Sequence, residues 1–138
     1  MRRLATLAAL AALQLAAPAA LAIDRNRVLV VGDCTHAQFK PAKIVIACGD
    51  GNEVLTHLSW STWTAAKATG KGMNSINSCT PTCAGGHFKD YAVTVTLSKP
   101  HHCAKLSSKV FSRATLHFTH GRPAHVPSNQ TLPIACPL

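Results

Sequence analysis

Six cysteines constrain the fold of this chain more than any other feature of its sequence. All six follow an apolar leader, and an even number of cysteines in an exported chain indicates three disulfides. Sequence alone does not select one pairing, but local pairing is expected, because a loop such as Thr80-Pro81-Thr82 can bring its flanking cysteines together. The predicted pairs are Cys79 with Cys83, Cys34 with Cys48, and Cys103 with Cys136.

Residues 1–22 have the organisation of a secretory signal peptide. A positively charged Met1-Arg2-Arg3 precedes an apolar run, and Ala20-Leu21-Ala22 supplies the small-x-small pattern of a cleavage site. An uncleaved membrane anchor is the alternative, but the run is shorter than the roughly 20 residues of a span, and Pro18 interrupts it. No later segment is apolar for long enough to span a bilayer. The sequence therefore predicts one secreted domain over residues 23–138, acting outside the cell or in its envelope.

Alternation of apolar and polar residues predicts β-strands along this domain. The alternation is clearest over residues 91–97 and 114–118, where every second side chain is apolar. Shorter apolar or β-branched runs, separated by Gly, Pro, Asn and Ser, predict further strands at 27–31, 43–47, 55–64 and 68–76. Pro100 is expected to end the strand that begins at Tyr91, because proline cannot donate to a ladder.

These patterns predict an all-β fold. No segment after the leader has a sustained helical period, and six or seven short strands fit a disulfide-stabilised two-sheet β-sandwich of immunoglobulin-like general design. A small closed barrel is the alternative. Residues 121–137 are polar and rich in proline, so we expect a tail that is pinned by Cys136.

The stretch Ala47-Cys48-Gly49-Asp50-Gly51-Asn52-Glu53 suggests at first a metal loop or a catalytic carboxylate pair. A calcium loop needs more oxygen ligands than this stretch offers, and carboxylates on one tight turn usually point into water. Glycines at such positions allow positive φ, so the stretch predicts a hairpin tip.

In the strand that follows, Trp60 is expected in the core. Trp63, three residues later, is expected on the other face, exposed or at a sheet edge.

Charge is distributed unevenly along the chain. The formal net charge is +9, and the last of the five acidic residues is Asp90. The segment after Asp90 carries only cations and histidines, a composition that attracts polyanions. A basic soluble domain without such a partner is the alternative. The residues predicted to contact a polyanion are Lys99, His101, His102, Lys105, Lys109, Arg113 and Arg122.

The sequence predicts neither a cofactor nor a metal site. Cys79-x3-Cys83 followed by His87 resembles part of a zinc site, but exported cysteines are oxidised, and the eight histidines are scattered. No G-x-S-x-G or HExxH motif marks an active site, so no catalytic residue is assigned. One alternative is a small hydrolase that uses Asp50 or Glu53 with a histidine such as His57. A second is an enzyme inhibitor that presents the Cys79–Cys83 loop.

Three motifs together resemble a known group of proteins. They are ACGDGN at 47–52, LSWSTW at 58–63 and NSCTPTCAGG at 77–86, and the likeness extends over roughly residues 41–122. In this order they resemble a family of small secreted actinobacterial proteins of unknown function. The resemblance implies export and a β-rich domain, and it carries no activity to transfer. The chain departs from the family pattern at Thr62-Trp63-Thr64 and at Asn77-Ser78.

The predicted function is a non-catalytic binding or structural module. Its predicted partner is an anionic cell-wall polymer or an extracellular protein surface, and nucleic acid is less expected for an exported chain.

Overall fold

The computed structural model describes residues 27–138, so the predicted signal peptide and its cleavage site lie outside the described residues. All regular structure in this range is β-strand, and no helix in it could cross a membrane. The strands are β1 (Val30–Val31), β2 (Ala37–Gln38), β3 (Ile44–Val45), β4 (Glu53–Trp63), β5 (Ala68–Asn77), β6 (Phe88–His102), β7 (Lys109–His120) and β8 (Asn129–Pro133).

The strands form two antiparallel sheets, which confirms the all-β, disulfide-stabilised two-sheet prediction. Strands β3 to β8 form a six-stranded sheet in which each strand pairs with its neighbour in sequence, and β1 pairs with β2. The larger sheet is thus a simple meander without the crossover connections of an immunoglobulin domain.

The segment around β1 connects β3, the first strand of this meander, with β7, its second-last strand. The backbone N–H of Leu29 donates to the carbonyl of Lys109 over 2.9 Å, and the N–H of Phe111 donates to Leu29 over 2.9 Å. Three residues later, the carbonyl of Gly32 accepts from the N–H of Val45 in β3 over 2.8 Å. The sheet therefore curls until its first strand and β7 share one connecting segment, and the core lies inside the curl.

Alternation places the core side chains as the sequence predicts. In β6, Val93, Val95 and Leu97 are buried, and in β7 the same is true of Ala114 and Leu116. Residues between them in sequence face outward. Ile44, Leu55, Val110 and Phe111 complete the fully buried centre with Val30 from β1.

Both tryptophans face the core, so the prediction that Trp63 lies on the opposite face from Trp60 is wrong. The register of β4 against β5 shifts between Trp60 and Thr62, which inserts one extra residue and returns Trp63 to the inner face. The two indoles contact each other edge to face, with their centroids 4.9 Å apart. Each indole N–H is satisfied: that of Trp60 donates to the carbonyl of Pro41, and that of Trp63 to the carbonyl of Val28, each over 2.8 Å.

Two further sequence expectations are corrected. β6 does not end before Pro100 but continues to His102, with Pro100 opposite Phe111 of β7. β5 pairs with β6 only as far as Leu97, so the residues of β6 beyond Leu97 have one edge without a neighbouring strand. Proline is tolerated there because a missing N–H on that edge costs no hydrogen bond of the ladder. The expected tail over residues 121–137 contains the edge strand β8, which pairs with β7.

The three disulfides join the predicted cysteines. Cys34–Cys48 ties the segment after β1 to the β3–β4 hairpin, and Cys79–Cys83 closes the loop between β5 and β6. Cys103–Cys136 fastens the C-terminal segment to the β6–β7 hairpin. Every cysteine of the described chain is therefore used in cross-linking.

Candidate functional site

The acidic stretch at 47–53 forms the hairpin tip that the sequence predicts. The carbonyl of Ala47 accepts from the N–H of Gly51 over 2.8 Å, and Gly51 has a φ of 69°. The N–H of Asn52 donates to Oδ1 of Asp50 over 3.1 Å. This hydrogen bond is the main reason that the pKa of Asp50 lies below its ordinary value. Asp50 is thus part of the turn itself.

The structure keeps the carboxylates of the hydrolase hypothesis apart. Oε1 of Glu53 accepts from Nδ2 of the fully buried Asn74 over 3.0 Å, which directs this carboxylate away from the turn of Asp50. His57 lies four residues further along β4, roughly 13 Å away for an extended strand. The described geometry does not bring Asp50, Glu53 and His57 to one point.

The Cys79–Cys83 loop lies beside this hairpin tip and is held by Asn77. Nδ2 of Asn77 donates to Oδ1 of Asn52 and to the carbonyl of Cys83, each over 2.8 Å. Its Oδ1 accepts from the N–H of Cys79 over 3.1 Å. Pro81 and Thr82, between the two cysteines, are exposed. The loop is therefore fixed at its base and open at its tip.

The predicted cations gather mainly on the hairpin between β6 and β7. His102 pairs directly with Lys109, and Lys99, His101 and Lys105 lie within the same hairpin. All five side chains are exposed. We call residues 99–109 the basic hairpin. It concentrates five of the seven predicted polyanion contacts at one end of the larger sheet.

The other two predicted contacts lie further away. Arg113 is four residues along β7 from Lys109, roughly 13 Å for an extended strand. Arg122 lies beyond His120, the last residue of β7, and its Nε donates to the carbonyl of Val126 over 2.8 Å. Since β7 alone is roughly 37 Å long at 3.4 Å per residue, Arg122 belongs to the opposite end of the sheet.

Within residues 27–138, no carboxylate forms an ion pair with a cation of the basic hairpin. Asp50, Glu53 and Asp90 lie at the end of the sheet where β4 begins, whereas the hairpin lies at the end where β4 finishes. The single ion pair of the described range joins Asp33 to His36 over 2.9 Å. The lysines of the hairpin therefore point into solvent without an acidic partner among the described residues.

Asp33 is occupied by its own turn. The backbone N–H of His36 donates to Oδ1 over 2.6 Å, the His36 ring contacts Oδ2, and Thr35 donates through both its N–H and its hydroxyl. These donors, His36 foremost, hold the pKa of the Asp33 carboxyl well below its usual range. Asp33 consequently serves the turn and not the neighbouring cations.

Two cations that sequence reasoning missed flank Phe39. The guanidinium carbon of Arg27 lies 4.1 Å from the centroid of the Phe39 ring, and Nζ of Lys40 lies 5.4 Å from it. Phe39 contacts Trp63, with ring centroids 5.2 Å apart, and Trp63 contacts Phe111. Because Phe111 pairs with Pro100, this aromatic row connects Arg27 and Lys40 to the base of the basic hairpin. No charge run in the sequence indicates this proximity.

No protein-family model, curated protein or solved structure matches this chain.

His101 lies against the disulfide that closes the basic hairpin. Its Nε2 lies 3.6 Å from Sγ of Cys103 and 3.7 Å from Sγ of Cys136. The three atoms lie as close together as the ligands of a metal ion do. Disulfide sulfurs are not thiolates, however, and the thiolate is the form that binds metals. The contact therefore orients the His101 ring on the hairpin surface.

Proposed function

We propose that this protein is a non-catalytic module that binds an anionic polymer outside the cell or in the cell envelope. The observation that carries the proposal is the exposed basic hairpin, whose Lys99, Lys105 and Lys109 have no carboxylate partner within the described chain. Clustered charge of one sign concentrates polymers of the opposite sign and accelerates their association.

The backbone of the hairpin supports this proposal because it is fixed before binding. Cys103–Cys136 anchors its turn, and the N–H of Leu106 donates to the carbonyl of Cys103 over 3.0 Å. Oγ of Ser112 donates to the carbonyl of Lys99 over 2.8 Å. A preorganised surface loses less conformational entropy on binding than a flexible one, so more of the electrostatic attraction is retained as affinity.

A cell-wall polymer is the preferred partner in this proposal, and an acidic extracellular protein surface is the alternative. Three disulfides accord with an oxidising, extracytoplasmic compartment. Secretion, and kinship with the small actinobacterial proteins that the motifs resemble, are parts of the same proposal.

Reversing two charges of the basic hairpin should weaken polymer binding. The double variant Lys105→Glu/Lys109→Glu is expected to bind purified wall teichoic acid at least about tenfold less tightly, equivalent to about 1.4 kcal/mol. Calorimetry at low and high salt measures the effect, and the wild-type affinity should fall steeply with salt because exposed charges are screened.

The matched control is Lys43→Glu/Lys89→Glu, which changes net charge equally at exposed positions outside the hairpin. This control is expected to bind several-fold more tightly than the hairpin variant. Equal losses in the two double variants would mean that net charge and not the hairpin governs binding. A salt-independent or absent interaction would remove the polymer proposal altogether.

The Cys79–Cys83 loop favours a second candidate function, inhibition of an extracellular protease. Its exposed Pro81 and Thr82 are held between a disulfide and the hydrogen bonds of Asn77. A protease that engages such a loop gains affinity from its rigidity and releases it slowly after any cleavage. This candidate uses the opposite end of the sheet from the basic hairpin, so the two functions are separable.

A protease assay tests this second candidate. The native protein is expected to inhibit at least one of trypsin, chymotrypsin, subtilisin and papain with an inhibition constant below about 1 μM, equivalent to about 8 kcal/mol of binding free energy. Cys79→Ser/Cys83→Ser should lose at least about tenfold of that inhibition, because its loop must be ordered on binding. Rapid cleavage of the native loop by all four enzymes, without inhibition, would rule this candidate out.

A further inference from the structure

A groove of about 640 Å³ crosses the face of the larger sheet that is turned away from the core. It runs over β4, β5, β6 and β7, and its volume lies within the roughly 300–1,000 Å³ of small-molecule sites. Three interstrand spacings of about 4.8 Å make it roughly 14 Å long. The side chains that define it are His57, Lys71, Met73, Ala92, Thr94 and His120.

The depression arises from short side chains at its centre. Ala92 pairs with Met73 on one side and with His120 on the other, so the row has a small residue between two larger ones. Gly72 lies beside them, and a Cβ there would come within 2.6 Å of the carbonyl oxygen of Thr56. A side chain at this position would also meet the buried Leu58 on the core face, so the close approach of β4 to β5 requires glycine here.

Two β-bulges bring a histidine to each end of the groove. The register shift between Thr56 and Ser59 in β4 includes His57, which has a φ of 52°. In β7, Ala92 pairs with His120 but Val93 pairs with Phe118, which leaves Thr119 as the extra residue. Bulges re-aim side chains and are frequent next to binding sites, and a positive φ at a non-glycine residue is strain of the kind that functional sites retain.

The two imidazoles are oriented in the same way. Nδ1 of His57 contacts Oγ1 of Thr56 over 3.2 Å, and Nδ1 of His120 contacts Oγ1 of Thr119 over 3.2 Å. Among the hydrogen bonds of residues 27–138, none involves Nε2 of either ring. Each ring that lines the groove therefore has one nitrogen without a protein partner among the described residues.

The remaining lining determines the class of ligand. Met73 and Ala92 supply an apolar floor, and Lys71 and Thr94, which are paired between β5 and β6, add an ammonium and a hydroxyl to the lining. Asp90 is the one carboxylate in the lining, two residues along β6 from Ala92 and thus on the side away from Thr94. We infer that the groove binds a small amphipathic organic anion, with its carboxylate or phosphate on Lys71 and its apolar part over Met73 and Ala92.

This site is separate from the basic hairpin. No residue of 99–109 lines the groove, and the polymer proposal does not depend on it. Occupation of one surface leaves the other accessible, so each proposal can fail without the other.

Met73 provides a local probe of the groove. The chain contains two methionines, and the other is Met1 in the predicted leader. Labelling the full chain with methyl-¹³C methionine gives two resonances, and Met73→Leu assigns one of them. Titration with decanoate and with decyl phosphate should shift the Met73 resonance saturably, whereas neutral decanol should bind at least tenfold more weakly. Preference between the two anions identifies a carboxylate or a phosphate monoester as the head group.

Two variants test the assignment of residues. Lys71→Gln should weaken the tighter anion about tenfold, and Ala92→Leu, which fills the floor, should abolish the shift. Lys43→Gln removes an exposed charge outside the groove and should leave the titration unchanged. Lys71 is exposed, so its variant keeps the test decisive even if Ala92→Leu fails to fold. An unshifted Met73 resonance in the wild type, or equal affinity of Lys71→Gln and wild type, would overturn the inference.

Discussion

Replacing Phe111 with alanine is expected to lower the free energy of unfolding by about 3–5 kcal/mol. Phe111 is fully buried, and its ring contacts that of Trp63 edge to face with centroids 5.6 Å apart. Truncation removes apolar burial and leaves a cavity beneath the indole, and the two losses add. Because the N–H of Phe111 also donates to Leu29, the cavity lies where the β1 segment joins β7.

Urea-induced unfolding monitored by tryptophan fluorescence measures this loss, since both indoles lie near the cavity. Phe88→Ala is the matched control, because Phe88 is 54% exposed and its truncation should change stability by no more than about 0.5 kcal/mol. A loss below about 1 kcal/mol for Phe111→Ala would contradict the packing described for this part of the core.

Removing the Cys103–Cys136 bridge should cost about 4 kcal/mol of stability. The bridge joins residues that are 33 apart in sequence, so its loss releases a long loop in the unfolded chain. The double variant Cys103→Ser/Cys136→Ser also frees the C-terminal segment, whose last residue, Leu138, donates to the carbonyl of Cys34 over 3.1 Å. Calorimetric or urea unfolding under oxidising conditions gives the value.

The Cys79–Cys83 bridge serves as an internal comparison. Its cysteines are only 4 apart in sequence, so Cys79→Ser/Cys83→Ser should cost about 2 kcal/mol by the same loop-closure argument. The order of the two losses is the decisive result. A larger loss for the short loop would show that native-state contacts, and not loop closure, determine the contribution of these bridges.

Much of the fold could be predicted from the sequence because its signals are local. The alternation over 91–97 and 114–118 directly reports which side chains of β6 and β7 face the core. Each disulfide joins two cysteines that are consecutive among the six, as the predicted pairing had it, although Cys103 and Cys136 lie 33 residues apart. Trp63 was misplaced because a bulge adds one residue without any compositional mark. The end of β6 was predicted wrongly because a proline at position 100 is tolerated only where β5 no longer pairs with β6.

The candidate sites also differ in whether the sequence could predict them. The basic hairpin is one segment of sequence, so its charge was visible before its shape was known. Arg27 and Lys40 join it only through the packing of Phe39 on Trp63, which no sequence spacing predicts. The groove draws single residues from four strands, and their alignment depends on register and on two bulges. Sites assembled across strands were therefore missed, whereas sites within one hairpin were found.

The meander of the larger sheet has a consequence for how the chain reaches its native state. Because every strand from β3 to β8 pairs with its immediate neighbour in sequence, each hairpin can form as a local event that closes a short loop. The contact of Leu29 with Val110 is different, because most of the described chain lies between these two residues in sequence. Forming this contact closes a longer loop and therefore costs more conformational entropy. We therefore expect successive hairpins to assemble first and the β1 segment to join last, so that folding is fast for an all-β protein and the final step encloses the core.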